Sequence, residues 1–159
     1  MATTRPRRIL FPVDESDHCK RAIQWYFDKF ALKNDKIYLL HVAEPQFAKN
    51  VHYDVAADYT TELQNTMNHS VELGQQVGDS VQALFKSHGL SSQFLMYLSN
   101  KPGEQTVRVA EDKLVDMIII GNRGMSTLRR TVFGSVSDYV IHHANIPVII
   151  VPPPQPISH

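Results

Sequence analysis

The sequence MIIIGNRGMSTLRRTVFGS, residues 117–135, joins an apolar run to a segment rich in glycine and arginine. The run Met117–Ile120 is typical of a strand that is buried on both faces of a sheet. Three of the chain's seven glycines, Gly121, Gly124 and Gly134, lie in the segment that follows. Glycine adopts backbone angles closed to other residues and lets the main chain approach a ligand closely, so the segment is a candidate binding loop.

The composition limits the class of protein. The chain has 159 residues, 43% of them hydrophobic and 20% charged, as in one globular domain of ordinary size. Lys and Arg together number 16, as do Asp and Glu, and this balance argues against a nucleic-acid binder. The sequence has neither a membrane span of ~20 apolar residues nor the apolar region of a secretory signal. Cys19 is the one cysteine, so we expect a cytoplasmic protein without disulfides.

Short apolar runs separated by helical patterns predict the fold. The runs predict strands at residues 9–13, 36–42, 93–99, 114–120 and 147–151. Because the strands are almost wholly apolar and helices connect them, we expect one α/β domain over residues 1–159, a doubly wound parallel sheet with helices on both faces. Residues 43–59 lack a period and predict a long surface loop. Residues 1–7 and the proline-rich residues 152–159 predict flexible tails.

Four helices are predicted between the strands. The first begins after Ser16 as N-cap and carries apolar side chains at Ala22, Ile23, Tyr26, Phe27 and Phe30. The second runs from about Thr60 to His88, with an apolar stripe at Leu63, Met67, Val71, Val77, Val81 and Leu84. The third starts near Pro102, with one face formed by Val107, Ala110 and Leu114. The fourth covers Ser135–His143.

The glycine segment begins at the carboxyl end of a predicted strand, where open parallel sheets bind ligands. Gly134 and Ser135 open the last helix, whose unpaired N–H groups and dipole favour an anion. The hydroxyls of Ser135 and Ser137 can also donate to phosphate oxygens. The segment therefore indicates a phosphate site. The alternatives are that its glycines only form turns and that Ser135 is an ordinary N-cap.

The spacing of Gly121, Gly124, Gly134 and Ser135 fits G-x2-G-x9-G-[ST], the nucleotide motif of the universal stress proteins. The flanking sequences RRILFPVDES, LLHV, KPGEQTVRVAEDKLVDMIIIGNRG and GSVSDYVIHHANIPVIIVP are similar to other parts of that family. Over almost its whole length the chain resembles a small single-domain universal stress protein. The resemblance implies ATP binding and an open five-stranded parallel sheet of order 3-2-1-4-5, Rossmann-like and of the adenine-nucleotide alpha hydrolase type.

The resemblance also implies roles for individual residues. Pro12, Val13 and Asp14 would line the adenosine, with the Asp14 carboxylate accepting hydrogen bonds from the ribose or the adenine amine; a helix-capping role is the alternative for Asp14. Val42 would offer its backbone N–H and C=O to adenine, or would otherwise be only a core valine. The ribose and phosphates would contact the remaining candidates, which are Gly121, Arg123, Gly124, Gly134, Ser135, Val136 and Ser137.

Further expectations concern charges, metal and assembly. Arg129 and Arg130 could fold over the triphosphate, because guanidinium matches phosphate geometry, or could be solvated loop charges. A divalent ion, Mg²⁺ or Mn²⁺, could accompany the phosphates, although the sequence shows no dedicated carboxylate cage. His142 and His143 are adjacent and cannot share a helical face, so we expect no histidine metal site. The family commonly dimerises through its last strand, which implies a homodimer paired along Pro147–Val151.

Several classes of function remain open. A nucleotide-dependent stress-response or signalling module would bind ATP and change its partner contacts. A slow ATPase or a nucleotidyl transferase could use the same crevice, and the fold alone does not separate these classes. We expect no efficient catalysis, because the phosphate site lacks a general base and a positioned lysine. A purely structural dimer is a third possibility, and the intact glycines argue against it.

Overall fold

A computed structural model describes residues 5–45, 56–123 and 134–155 of the chain. In chain order the elements are β1 (Arg8–Pro12), α1 (Asp17–Lys29), β2 (Lys36–Ala43), α2 (Ala56–Ser87), β3 (Ser92–Leu98), α3 (Pro102–Asp112), β4 (Met117–Gly121), α4 (Ser135–His143) and β5 (Val148–Val151). The five strands form one parallel sheet of order β3-β2-β1-β4-β5, so the predicted Rossmann-like fold is confirmed. Among the described helices, none combines the length and apolarity that a membrane span requires.

Successive residues of the inner strands point to opposite faces of the sheet, and each face has its own hydrophobic cluster. On one face Ile9 and Phe11 pack with Tyr26 of α1 and Phe85 of α2. The Phe11 and Tyr26 rings meet edge-on, with centroids 5.1 Å apart. On the other face Leu10 belongs to a cluster that includes Val109 and Ala110 of α3 and Val140 of α4. Burial on both sides explains why the strands are almost continuously apolar.

The boundaries and buried face of α2 differ from the prediction. The helix begins at Ala56 and β2 ends at Ala43, so the predicted loop of residues 43–59 is shorter, and its residues 46–55 lie outside the described part of the chain. Two residues of the predicted apolar stripe, Val71 and Leu84, are each 37% exposed. The buried side of the helix is formed by Gly74, Val77, Gly78 and Phe85, of which Val77 belongs to the predicted stripe. Glycines add nothing to a hydrophobic pattern, which is why the stripe was misplaced.

The start of β4 also differs from the prediction. The strand begins at Met117, whereas the apolar residues before it suggested a start at Leu114. Leu114 lies in the turn after α3, with a positive φ of 50° and 69% of its surface exposed, so it does not belong to the buried face of α3. The turn is closed by the Val115 amide, which donates to the Ala110 carbonyl at 3.0 Å. Leu114 is therefore exposed because it lies in the turn that ends α3.

The N-terminal segment contacts the domain from Arg5 onwards, and residues 1–4 of the predicted tail lie outside the described residues. The Arg7 guanidinium donates from Nε and Nη2 to the two carboxylate oxygens of Asp35, at 2.8 and 2.6 Å. The Tyr26 hydroxyl donates to Asp35 Oδ2 at 2.7 Å. Arg5 forms an ion pair with Asp116 at 2.5 Å. These contacts fasten the chain before β1 to the end of α1 and to the start of β4.

Burial alone would raise the pKa of the Asp35 carboxyl. Hydrogen bonds from Arg7, the Leu32 amide and Tyr26, together with the charge of Arg7, outweigh that effect and hold the pKa of Asp35 below its ordinary value. The carboxylate side chain has no solvent exposure, whereas the Arg7 side chain is 27% exposed. Asp35 is therefore a buried anion with four hydrogen-bond donors arranged around it.

Candidate functional site

A cavity of about 190 Å³ opens at the carboxyl end of the sheet, where β1 and β4 are neighbours and the strand order reverses. Every predicted site residue that the structure describes borders it. These residues are Pro12, Val13, Asp14, Val42, Gly121, Arg123, Gly134, Ser135, Val136 and Ser137. Gly124, Arg129 and Arg130 lie outside the described residues. The fold thus gathers segments that are more than a hundred residues apart in sequence around one space.

The cavity has further lining residues that the sequence did not indicate. They are His18, Cys19, Leu40, His41, Glu44, Pro102, Thr106 and Ile120. His18 and Cys19 belong to the first turn of α1, and Pro102 begins α3. Their position in the sequence could have indicated some of them, because residues just after a strand or at the start of the following helix lie at the carboxyl edge of a parallel sheet.

Asp14 lies between the end of β1 and the start of α1. The N-cap of α1 is Ser16, whose side chain accepts from the Cys19 amide at 3.2 Å, so the capping role considered for Asp14 belongs to Ser16. Asp14 supports that cap, since its Oδ1 accepts from the Ser16 amide at 2.9 Å and also from the Ser16 hydroxyl. Its side chain is 49% exposed, and Oδ2 lies 4.0 Å from His18 Nε2. The carboxylate is therefore oriented at the cavity without being buried.

The backbone of Val42 faces the space beyond β1. In a parallel strand the N–H and C=O of one residue point to the same neighbour, and successive residues alternate between neighbours. The Leu40 carbonyl accepts from Val13 on the β1 side at 2.8 Å, and the Ala43 carbonyl accepts from Ser99 on the β3 side at 3.1 Å. The Val42 N–H and C=O therefore point towards β1, whose pairing with β2 ends at Pro12↔Leu40.

Gly121 and Gly134 differ in the space available for a side chain. Gly121 ends β4 against α1, and a Cβ atom there would lie 1.9 Å from the His18 carbonyl oxygen. Among the glycines that the structure describes, positive φ occurs at Gly89, so Gly121 does not use the special backbone angles that we predicted. Gly134 has open space, since its Cβ would meet Ser137 Oγ at 3.8 Å and Arg123 Cδ at 3.9 Å.

The first turn of α4 forms one wall of the cavity. Gly134 is the N-cap, with φ −66° and ψ 161°, so the alternative that Ser135 is the N-cap is wrong. The first amide bonded within the helix is that of Asp138, which donates to the Gly134 carbonyl at 2.9 Å. The helix itself offers no acceptor to the preceding amides, those of residues 135–137. The hydroxyl of Ser137 donates to the Gly134 carbonyl at 3.0 Å.

The titratable groups of the cavity are affected by burial and by each other. Burial lowers the pKa of His18; the carboxylate of Asp14 opposes this shift, and the cations Arg123 and Arg21 add to it. Burial also raises the pKa of the Cys19 thiol to about 11, so the thiol is neutral at pH 7. In residues 5–45, 56–123 and 134–155 no cluster of three His, Cys, Asp or Glu side chains is close enough to hold a metal ion.

The chain matches known proteins along most of its length. The model of the universal stress protein family matches residues 6–152. Universal stress protein MJ0577 of Methanocaldococcus jannaschii is 27% identical over 156 residues, covering 91% of this chain and 94% of that protein. A universal stress protein of Mycolicibacterium smegmatis is 29% identical over 143 residues, covering 90% of this chain and 47% of that protein. The chain thus spans about half the length of the mycobacterial relative.

Solved structures share the fold. The structure of MJ0577 has a TM-score of 0.74 and 24% identity, covering 96% of this chain and 100% of the other. A universal stress protein family protein from Arabidopsis thaliana with AMP bound has a TM-score of 0.64, 20% identity and 92% coverage of both chains. A universal stress protein in complex with cAMP has a TM-score of 0.56 and 19% identity, covering 93% and 98%. These likenesses show the shared fold, and the family match over residues 6–152 shows that the chain belongs to the universal stress protein family.

Proposed function

We propose that the cavity binds ATP and that the protein acts as a nucleotide-dependent stress-response or signalling module. One observation carries the proposal: the first turn of α4 and the β1-facing side of the Val42 backbone border the same cavity. The first is suited to phosphate and the second to a nucleobase. The AMP and cAMP complexes of related proteins support an adenine nucleotide as the ligand.

The phosphate end is formed by backbone donors. The amides of residues 135–137 lie at the positive end of the α4 dipole, where an anion is stabilised. Arg123 borders the same cavity and adds a cation. Gly121, Gly124 and the side chain of Ser135 complete the proposed contacts with ribose and phosphates. A Mg²⁺ or Mn²⁺ ion would be held chiefly by phosphate oxygens, since the described lining offers no carboxylate cage.

The nucleoside end is formed by Pro12, Val13, Asp14 and Val42. Val42 presents a donor and an acceptor on the same side, which complements the edge of adenine, where an amine donor lies beside a ring-nitrogen acceptor. Guanine offers two acceptors on the corresponding major-groove edge and would leave the Val42 carbonyl without a partner. Asp14 would accept from the ribose hydroxyls or the adenine amine. We therefore infer selectivity for adenine.

Two experiments test binding. Protein purified without added nucleotide should release adenine nucleotide on denaturation, and calorimetry should show ATP binding. Gly124→Val and Gly134→Val should each abolish the heat of binding, because a branched side chain would occupy the phosphate path. Ala83→Val on the exposed side of α2 places a valine side chain away from the cavity and should leave the affinity unchanged. Normal binding by both glycine variants would refute the site.

Turnover separates the module from the enzyme. Binding with negligible release of phosphate fits a signalling module, whereas turnover near ~1 s⁻¹ is in the ordinary enzyme range and would favour an ATPase.

The proposal includes a homodimer formed along the free edge of β5, the last strand of the sheet. It also includes a cytoplasmic location, which is supported by the single cysteine as a free, buried thiol.

A further inference from the structure

The pairing of β1 with β2 stops where the cavity begins. The hydrogen bonds from Lys36 N to Arg7 O and from Val13 N to Leu40 O, both 2.8 Å, fix the register of the ladder. In this register the next bond of a regular parallel ladder would join the Val42 amide to the Val13 carbonyl. That bond would place the Val42 backbone within the sheet and close the space between the two strands.

A histidine side chain takes the place of this bond. His41 Nδ1 lies 2.8 Å from the Val13 carbonyl oxygen. A carbonyl oxygen can only accept, so Nδ1 carries the proton and donates to Val13. The carbonyl that would continue the ladder thus accepts from the imidazole of the residue that precedes Val42. The interaction is part-buried and links positions 28 residues apart in sequence.

The His41 ring is held in place by α2. A Cβ atom on Gly74 would lie 2.8 Å from His41 Cδ2, so the ring packs directly against the helix at a position without a side chain. The ring also borders the cavity. Its position is therefore fixed by the β1 exit on one side and by α2 on the other, and it does not depend on a ligand.

We propose that His41 is a positioning residue that keeps the Val42 backbone available to the nucleobase. Its Nδ1–H satisfies the Val13 carbonyl, ends the β1–β2 ladder and leaves the Val42 N–H and C=O facing the cavity. The inference rests on the proposed nucleotide function for its purpose, but the effect on the ladder exists without ligand. His41 needs no contact with the nucleotide to act in this way.

Three variants separate this role from simple packing. His41→Asn retains an amide donor near the place of Nδ1, His41→Gln carries its amide further out, near the place of Nε2, and His41→Leu has no donor. In nucleotide-free protein the exchange of the Val42 amide is measured by NMR. We expect slower exchange in the Gln and Leu variants, because the ladder bond from Val42 to Val13 can then form, and exchange as in the wild type in the Asn variant.

Affinity provides the second measurement. ATP should bind about tenfold more weakly to the Gln and Leu variants, as expected for the loss of roughly one hydrogen bond, and normally to the Asn variant. Sodium tripolyphosphate, which has no base, should bind all four proteins equally. A uniform loss for both probes would show general damage to the site and would overturn the inference.

The outcomes distinguish the two proposals. If the wild type binds no ATP, the proposed function fails, and exchange of the Val42 amide still decides the role of His41. If the Gln and Leu variants show wild-type exchange at Val42, the inference is wrong whatever the affinity. If the Leu variant does not fold, the comparison of Gln with Asn gives the same decision, because both side chains are polar amides.

Discussion

The carbonyl oxygen of His18 lies 1.9 Å from the point at which a Cβ atom on Gly121 would be placed. The first turn of α1 therefore rests directly on the backbone at the end of β4. This approach brings His18 and Cys19 to the cavity together with Gly121. The first glycine of the nucleotide motif is thus required by the packing of the fold, before any ligand is considered.

Gly121→Ala should destabilise the protein by about 3 kcal/mol, the upper part of the usual range for overpacking, because the obstacle is backbone. In a domain of this size each kcal/mol corresponds to about 2–4 °C in Tm, which thermal unfolding by circular dichroism resolves. An unchanged Tm would mean that α1 moves away from β4 at little cost.

Gly134→Ala is the matched control for that substitution. The added Cβ would meet its nearest atoms at 3.8 and 3.9 Å, which is ordinary contact distance. We expect a change in stability within about 0.5 kcal/mol, as at sites where a substitution disturbs no special feature. A large loss of stability in Gly134→Ala would show that the fold itself requires this glycine, and would contradict the view that it serves ligand binding alone.

Asp35→Asn should destabilise the protein by about 3 kcal/mol at neutral pH, because Arg7 would lose the anion of a largely buried pair. Chemical denaturation of both proteins gives the difference in the free energy of unfolding. Asn is nearly isosteric with Asp, so a small difference would show that the charge of Asp35 contributes little.

The contribution of Asp35 should also depend on pH in one direction. The pKa of Asp35 in the folded protein lies below its ordinary value, and the unfolded value is about 3.9. Between these values the unfolded state binds more protons, so stability rises with pH. The advantage of the wild type over Asp35→Asn should be complete above about pH 5 and shrink as the pH falls through the folded pKa. A constant difference from pH 2 to pH 7 would refute this assignment.

Affinity for ATP should rise as the pH falls towards the range in which His18 is protonated. Burial lowers the pKa of His18, and a phosphate beside it would favour the protonated ring. Calorimetry from pH 8 to pH 5.5 tests this for the wild type and for His18→Asn. The phosphate of ATP titrates in both experiments, so only the difference between the two profiles reports His18. Parallel profiles would exclude a charged contact.

The proposed dimer predicts different effects for two neighbouring residues of β5. Ile118 donates to the Pro147 carbonyl and Asn122 to the Val151 carbonyl, so alternation directs Ile149 towards β4 and Ile150 towards the free edge. Ile150→Pro would remove an outward N–H, and Ile149→Pro would break the ladder with β4. In sedimentation velocity we expect a dimeric wild type and a folded, monomeric Ile150→Pro variant. A wild type that is monomeric at micromolar concentration would refute the dimer.

Local chemistry made much of the fold predictable. Short apolar runs identified the strands, and Ser16 identified the start of α1, because both signals depend on neighbours in sequence. The prediction failed at residues whose burial does not follow their hydrophobicity. Leu114 is apolar but lies in an exposed turn, and Gly74 and Gly78 have no hydrophobic side chain but form the buried face of α2.

The sequence by itself determined that a parallel sheet ends in a glycine segment with the spacing of a nucleotide motif, since both are patterns along the chain. The tertiary structure alone decided which backbone groups face the cavity at that edge. The family resemblance pointed to Val13 and Val42, but only the register of β1 against β2, with the His41 ring between them, shows how the Val42 backbone faces the cavity. Hydrogen-bond pairing between strands depends on register, and register is set by the packing of the whole domain.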